Sequence, residues 1–282
     1  MAKVHSTYSK PKVEVNASHS YGSLVVHDRL EFTVAPNEFV CICGPSGCGK
    51  TTLLDYLAGI LKPTRGTVLI DGAPADPKRH SISFVFQEPS TFPWLTVFDN
   101  VATGLRIKGA AAAEVTAKVR EIISLVGLTG FEAYYPHQIS GGMKQRVAIA
   151  RAFATDADLI LMDEPFVSLD QPTRERMQRE VLDIWRRRVR TVIFVTHNIE
   201  EAVFLGDRIL ILSEKPAHIV ADLSVSLDHP RNPLSSDFMR LRAECVRWLA
   251  GSGAVSLTSK RADRGQTAEG ESGILVEPRS QL

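Results

Sequence analysis

The 282-residue chain contains no apolar run long enough to cross a membrane. A spanning helix needs about 20 consecutive apolar residues, whereas the strongest runs here, Phe39–Cys43 and Leu159–Met162, are strand-sized. The opening stretch, Met1 to Lys12, is polar and lacks the apolar segment of a secretory signal. Cysteine is scarce: Cys41, Cys43, Cys48 and Cys245 match no zinc-ligand spacing, and three of them crowd together in a poor disulfide framework. A reducing compartment is the simplest setting. There is no excess of one charge, since 33 Lys+Arg against 32 Asp+Glu leave a formal +1. That balance excludes a strongly basic nucleic-acid binder and an acidic disordered chain. Internal repeats are absent as well. What remains, at 44% apolar and 23% charged residues, has the composition of a soluble globular protein with one large core or two modest ones.

Strand-like and helical segments alternate, which predicts an α/β domain with a mostly parallel sheet. Phe39–Cys43 reads as a buried strand followed by helix from Lys50 to about Ala58. Thr67–Ile70, closed by Asp71-Gly72, and Ile82–Phe86 read as further strands. From about Val97 to Ala154 the pattern is helical; Val115, Val119, Ile122, Ile123 and Val126 form one apolar stripe. Leu159–Met162 and Thr191–Val195 return to buried strand, with helix around Arg174–Arg188 between them. Ile209–Leu212 and His218–Val220 read as late antiparallel strands. From Gly251 onward, five Gly, five Ser and no aromatic residue predict a disordered tail over 251–282.

Gly44-Pro45-Ser46-Gly47-Cys48-Gly49-Lys50-Thr51 fits the phosphate-binding pattern G-x-x-x-x-G-K-[ST], between a buried strand and a helix. Glycines let successive backbone N–H groups turn toward phosphate oxygens, and the helix N-terminus adds partial positive charge. Lys50 is expected to reach the β- and γ-phosphates, Thr51 to take a place on Mg²⁺, and Thr52 to continue the nucleotide-binding turn. Leu159-Ile160-Leu161-Met162 ends in Asp163-Glu164. Ligands of open α/β sheets sit beyond the carboxyl ends of the strands. That places Asp163 near the metal and makes Glu164 the candidate general base for an attacking water. A kinase, GTPase, helicase or transport ATPase all remain open at this point. No N-K-x-D guanine-reading motif is present.

Ile139-Ser140-Gly141-Gly142-Met143-Lys144-Gln145-Arg146 resembles the signature motif of ABC-transporter ATPase subunits. Ser140 and the two glycines would start a helix, giving a second anion site of hydroxyl, backbone N–H and helix dipole. The resemblance covers about Val13 to Leu249. It implies an α/β P-loop NTPase cassette with a mostly parallel core sheet, an N-terminal antiparallel β subdomain, and an inserted helical signature subdomain at about 88–154. Residues 1–12 would be a flexible N-terminus and 13–250 the ATPase domain. It further implies two copies packed head to tail, each signature closing on ATP held by the other copy's phosphate loop. By the same resemblance Gln87 contacts Mg²⁺ and the attacking water, His197 contacts the γ-phosphate, Asp170 lies in the loop that crosses the dimer, and Tyr21 stacks on adenine. Asn37 stands where the family usually has Gly, and its tolerance of positive φ predicts that the turn survives.

Glu88 to Val101, containing Phe92-Pro93-Trp94, is similar to the corresponding segment of bacterial importers of nitrate, aliphatic sulfonate and taurine. In that branch the segment forms part of a groove for a helix of the membrane permease, so a docking surface near Gln87–Asn100 is expected. Burial of Trp94 and Phe98 in the helical subdomain is the alternative. The resemblance places the chain peripherally at the cytoplasmic face of the cell membrane. It would be driven by ATP and Mg²⁺, partnered indirectly by a periplasmic or extracellular solute-binding protein and not by nucleic acid. A soluble ABC ATPase acting on nucleic acid or ribosomes, or another P-loop NTPase, is the alternative. Arg174 and Arg186–Arg188 read as solvated helix faces. Cys48, inside the cradle, is a candidate reactive thiolate favoured by the local positive field.

Overall fold

The computed structural model describes residues 10–258. It begins with strands β1 (Val13–Tyr21), β2 (Leu24–Val34) and β3 (Phe39–Cys43), then helix α1 (Lys50–Leu57). Strands β4 (Arg65–Ile70), β5 (Ala73–Pro74) and β6 (Ile82–Val85) follow. Helices α2 (Val97–Ile107), α3 (Ala112–Leu125) and α4 (Gly141–Ala154) make the inserted helical part. Then come β7 (Leu159–Asp163), α5 (Gln171–Arg187), β8 (Thr191–Thr196), α6 (Ile199–Leu205), β9 (Arg208–Leu212), β10 (Ile219–Ser224) and α7 (Ser236–Thr258).

The strands form two sheets. An antiparallel sheet runs β2-β1-β4-β5, and a six-stranded sheet runs β10-β9-β3-β8-β7-β6. In the second, β9, β3, β8, β7 and β6 are all parallel to their neighbours. Only β10 is antiparallel, paired to β9. The two late strands pair antiparallel with each other, as expected, since the short 213–218 connection permits only a hairpin; β9 itself joins the sheet parallel to β3 after the α6 crossover.

The continuously apolar strands are explained by burial on both faces. Phe39, Cys41 and Cys43 of β3 face the helices, while Val40 and Ile42 face the antiparallel sheet and α1. The same alternation sends Ile160 and Met162 of β7 one way, and Leu159 and Leu161 the other. The predicted stripe of α3 is buried in the helix-side core throughout, from Val115 to Val126. Helix starts are marked by side-chain caps: Thr96 accepts from the Asp99 amide at 3.1 Å, and Asn198 accepts from Glu200 and Glu201. Asn37 adopts φ 63°, the left-handed turn its residue type allows.

Of the expected flexible N-terminus, residues 1–9 lie outside the described residues. Lys12 is tied down, its ammonium 2.8 Å from the Asp71 carboxylate and its amide donating to Val34. At the other end α7 passes Gly251 and continues to Thr258, so 251–258 carry helical backbone where a disordered tail was expected. Once a helix is nucleated, each further residue adds one hydrogen bond, so a Gly costs stability without ending it. The rest of that tail lies outside the described residues. No helix among the described residues is long and apolar enough to cross a membrane.

Candidate functional site

β3, β7 and β8 end side by side, and their C-terminal ends carry the candidate chemistry. The chain leaves β3 at Cys43, curls through Gly44–Gly49 and enters α1 at Lys50. Gly49 is the N-cap of α1 with φ 109°, and no side chain caps the helix there, so its first N–H groups face outward for a ligand. A Cβ at Gly47 would meet nothing within 4 Å, which leaves that side of the cradle open.

Five expected residues converge here. The Thr51 hydroxyl donates to Asp163 Oδ2 at 2.8 Å, joining positions 112 residues apart. Lys50 Nζ donates to the carbonyls of Gly44 at 3.0 Å and Pro45 at 3.1 Å, and lies 3.6 Å from Glu164 Oε1. His197 Nδ1 lies 2.7 Å from Glu164 Oε2, so one carboxylate faces both a lysine and an imidazole. Glu164 takes φ 42°, a strained value for a residue with a Cβ, and its amide is fixed on the Val195 carbonyl at 2.9 Å. Burial raises the Asp163 pKa, partly countered by the Thr51 hydrogen bond.

The donor set suits one hard cation in this place. Hydroxyl and carboxylate oxygens at hydrogen-bond distance are ligands for Mg²⁺, which binds through one or two protein oxygens plus substrate phosphates. Among the described residues no group of three or more His, Cys, Asp and Glu forms a protein cage for a metal.

The other candidates stand outside this cluster. Tyr21, half exposed at the end of β1, presents a ring that meets His19 edge-on at 4.5 Å. Gln87 is exposed just past β6, its predecessor Phe86 held by Gln145. Ser140 caps α4, accepting from the Met143 amide at 3.3 Å, with Ser140 and Gly141 exposed and Gly142 partly covered. Asp170 caps α5 and is exposed; hydrogen bonds from Thr173 hold its carboxyl below the usual range.

Two expectations fail. Cys48 is buried, and burial pushes its thiol pKa up despite nearby Lys50, so the local field does not yield a reactive thiolate. Arg174 is no solvated face: it donates to the carbonyls of Phe166 and Leu169 and lies 3.7 Å from Glu201. It thus clamps the loop after Glu164. Glu201, which sequence reading passed over, also accepts from Thr196 at 2.6 Å. Arg186 and Arg187 are exposed, but Arg188 pairs with Glu121 and Asp156.

The segment after Gln87 divides between the two expectations. Phe98 packs against the helix-side core, whereas Trp94 is 71% exposed. Phe92 lies between them in character, its ring tilted against Trp94 at 5.7 Å and covered by the Arg151 guanidinium at 5.2 Å. Ile107, 81% exposed, and Phe84 complete a shallow cleft of about 220 Å³ there. The loop is held by buried Asn100, whose amide group donates to the carbonyls of Phe92, Leu95 and Thr96 and accepts from the Phe92 amide.

Residues 27–167 match the family model described as ABC transporter. The chain is 45% identical over 222 residues to an uncharacterized ABC transporter ATP-binding protein of Methanocaldococcus jannaschii, covering 79% of this chain and 83% of the relative. It is 42% identical over 234 residues to the aliphatic sulfonates import ATP-binding protein SsuB of Bacillus anthracis, covering 83% and 92%. Among solved structures it resembles a dimeric ATP-binding cassette in a post-hydrolysis state with ADP and Pi. There the TM-score is 0.67 and identity 31%, over 77% of this chain and all of that one. The fold is also that of a component of the cbiONQ ABC transporter complex from Clostridium perfringens. That match has a TM-score of 0.71 at 22% identity, over 87% of this chain and 99% of that one.

Proposed function

The chain belongs to the ABC transporter family as an ATP-hydrolysing subunit that uses Mg²⁺, and from that premise we propose that it energises a bacterial importer of a small anion. The observation that carries the catalytic assignment is the convergence of Lys50, Thr51, Asp163, Glu164 and His197 at the ends of three parallel strands. In this reading the amides of Gly44–Lys50 and the Lys50 ammonium bind the β- and γ-phosphates, with Thr52 behind them. Thr51, Asp163 and Gln87 would hold Mg²⁺, which when bound neutralises charge developing on the phosphate oxygens. Glu164 accepts a proton from water as its oxygen bonds to the γ-phosphorus and the bridging oxygen leaves with ADP. His197, hydrogen-bonded to Glu164, orients that carboxylate and reaches toward the γ-phosphate. Tyr21 offers adenine a face to stack on.

Ser140 and Gly141 are exposed at the start of a helix, with Gly142 partly covered beside them, as suits a site completed by a second copy. Two copies packed head to tail would place each Ser140 against the other's nucleotide, with Asp170 in the loop between them. The membrane permease docks on the Gln87–Asn100 segment, where exposed Trp94 and Ile107 flank a rigidly held loop. That places the subunit peripherally at the cytoplasmic face, with a solute-binding protein acting through the permease. Aliphatic sulfonate is the favoured solute among nitrate, sulfonate and taurine, on the strength of the similarity to sulfonate-import subunits.

Substitution of Glu164 tests the assignment. Glu164→Gln is expected to keep ATP binding and to lower turnover by about 100-fold or more, the loss typical of a removed general base. Steady-state phosphate release and titration with a fluorescent ATP analogue read the two effects. Turnover within a few-fold of the unsubstituted chain would remove Glu164 from that role.

A further inference from the structure

A cluster behind the phosphate loop has no part in the chemistry described so far. His27 of β2 is fully buried, and its ring lies against Gly49: a Cβ built there would fall 2.4 Å from His27 Nε2. The His27 Nδ1 nitrogen is hydrogen-bonded to the Tyr56 hydroxyl at 3.0 Å, whereas Nε2 is buried without a partner. Tyr56 lies on α1, the helix that Gly49 caps, so one imidazole touches both the last loop glycine and the helix beyond it. The two rings meet edge-on at 5.6 Å. Across the β1–β2 pair His19 stands opposite His27, with the register shifting on both sides of it, and packs on Tyr56 at 5.5 Å. Such irregularities re-aim side chains. β2 is also anchored on its other edge, where Asp28 donates to the Ala217 carbonyl and Ala217 donates to Val26.

An unpaired buried imidazole nitrogen is unfavourable and calls for an acceptor in some state of the molecule. The Gly49 carbonyl already takes the Leu53 amide at 2.9 Å and has a second lone pair. We propose that His27 is a positioning residue for nucleotide binding: the Tyr56 hydroxyl donates to Nδ1, the ring proton sits on Nε2, and Nε2–H takes the Gly49 carbonyl as the loop tightens around phosphate. Burial holds the His27 pKa down at about 4, against the opposing effect of the Gly49 backbone, so the ring is neutral at physiological pH, as this tautomer requires. The inference rests on reading Gly44–Thr51 as the phosphate cradle.

Tyr56→Phe in the full-length chain removes the orienting hydroxyl and keeps the ring. It is expected to raise KM for ATP and the Kd of a fluorescent ATP analogue about five- to tenfold, with a smaller change in kcat. His27→Leu is expected to match it, and the double variant to add nothing, as for two groups acting as one unit. Lys50→Ala is run alongside. If it binds ATP like the unsubstituted chain, the cradle reading itself fails. If Lys50→Ala loses binding while Tyr56→Phe and His27→Leu keep KM within twofold and merely melt earlier, the pair is packing only and the inference is overturned. Imidazole ¹⁵N spectra of the unsubstituted, ATP-bound chain give a readout independent of how the variants fold. A proton on Nε2 with Nδ1 accepting is expected; a proton on Nδ1 overturns the proposal.

Discussion

Glu164 sits under three constraints at once: a left-handed backbone fixed on Val195, an ammonium on one carboxylate oxygen and an imidazole on the other. Strain of this kind persists only where the surroundings over-determine it, and it collects at functional positions. Residues of this sort were legible in the sequence because their chemistry is local: a glycine loop ending in Lys-Thr, and a strand ending in two carboxylates. Arg174 and His27 were not, since their partners, the carbonyls of Phe166 and Leu169 and the Tyr56 hydroxyl, come together only in the fold. Cys48 misled for a related reason, because burial outweighs the positive field that its neighbours suggest. His27 also sets a pH dependence. Its pKa falls from 6.5 to about 4 on folding, so between those values only the unfolded chain binds the proton. Its contribution is complete above pH 6.5 and is lost as pH falls toward 4, amounting to about 2 kcal/mol by pH 5. Urea midpoints at pH 7 and pH 5 check this: His27→Leu should flatten part of the acid slope, and an unchanged slope would contradict it.

The strands of the parallel sheet followed the sequence pattern because both faces of that sheet are covered, so each core strand reads as an unbroken apolar run, whereas β1, β2, α6 and α7 were not read from the pattern. The stripe of α3 was legible for the same reason, as a single buried face. The parallel pairing of β9 with β3 was not, because periodicity is blind to which neighbour a strand joins; that is decided by the crossover through α6. The loop between β6 and α2 shows how one side chain fixes an irregular segment. Asn100, fully buried, makes four hydrogen bonds to the backbone of 92–96. Asn100→Ala takes their partner from the Phe92 amide and the Leu95 carbonyl, while the Phe92 and Thr96 carbonyls keep backbone amides, and it is expected to cost about 2–3 kcal/mol, read as a lowered midpoint in thermal or urea unfolding. A loss below about 0.5 kcal/mol would show that water satisfies the loop without it. The exposed Trp94 on that loop has the features of an interface anchor, an aromatic side chain on a rigid support. Trp94→Asp is expected to cut the permease retained during copurification at least tenfold, an effect of about 1.4 kcal/mol or more. Full retention would move the docking surface elsewhere.

At the scale of the whole molecule, the two sheets and the helical insert were foreseen as one cassette. The formal net charge is +1, and no helix among the described residues is long and apolar enough to cross a membrane. The proposed function divides the site between copies: the cradle at Gly44–Thr51 is read as the phosphate pocket of one chain, and Ser140 and Gly141, exposed at the start of α4, as the face that closes on it from the other. Under that proposal closure needs nucleotide and two chains together, and hydrolysis reopens it. The most direct measurement is the mass of Glu164→Gln in solution, by sedimentation or light scattering, with and without Mg·ATP. The account predicts a monomer without nucleotide and a dimer at saturating Mg·ATP, with the dimer lost in a Ser140→Arg version of the same chain. A chain that stays monomeric with ATP fully bound would contradict it.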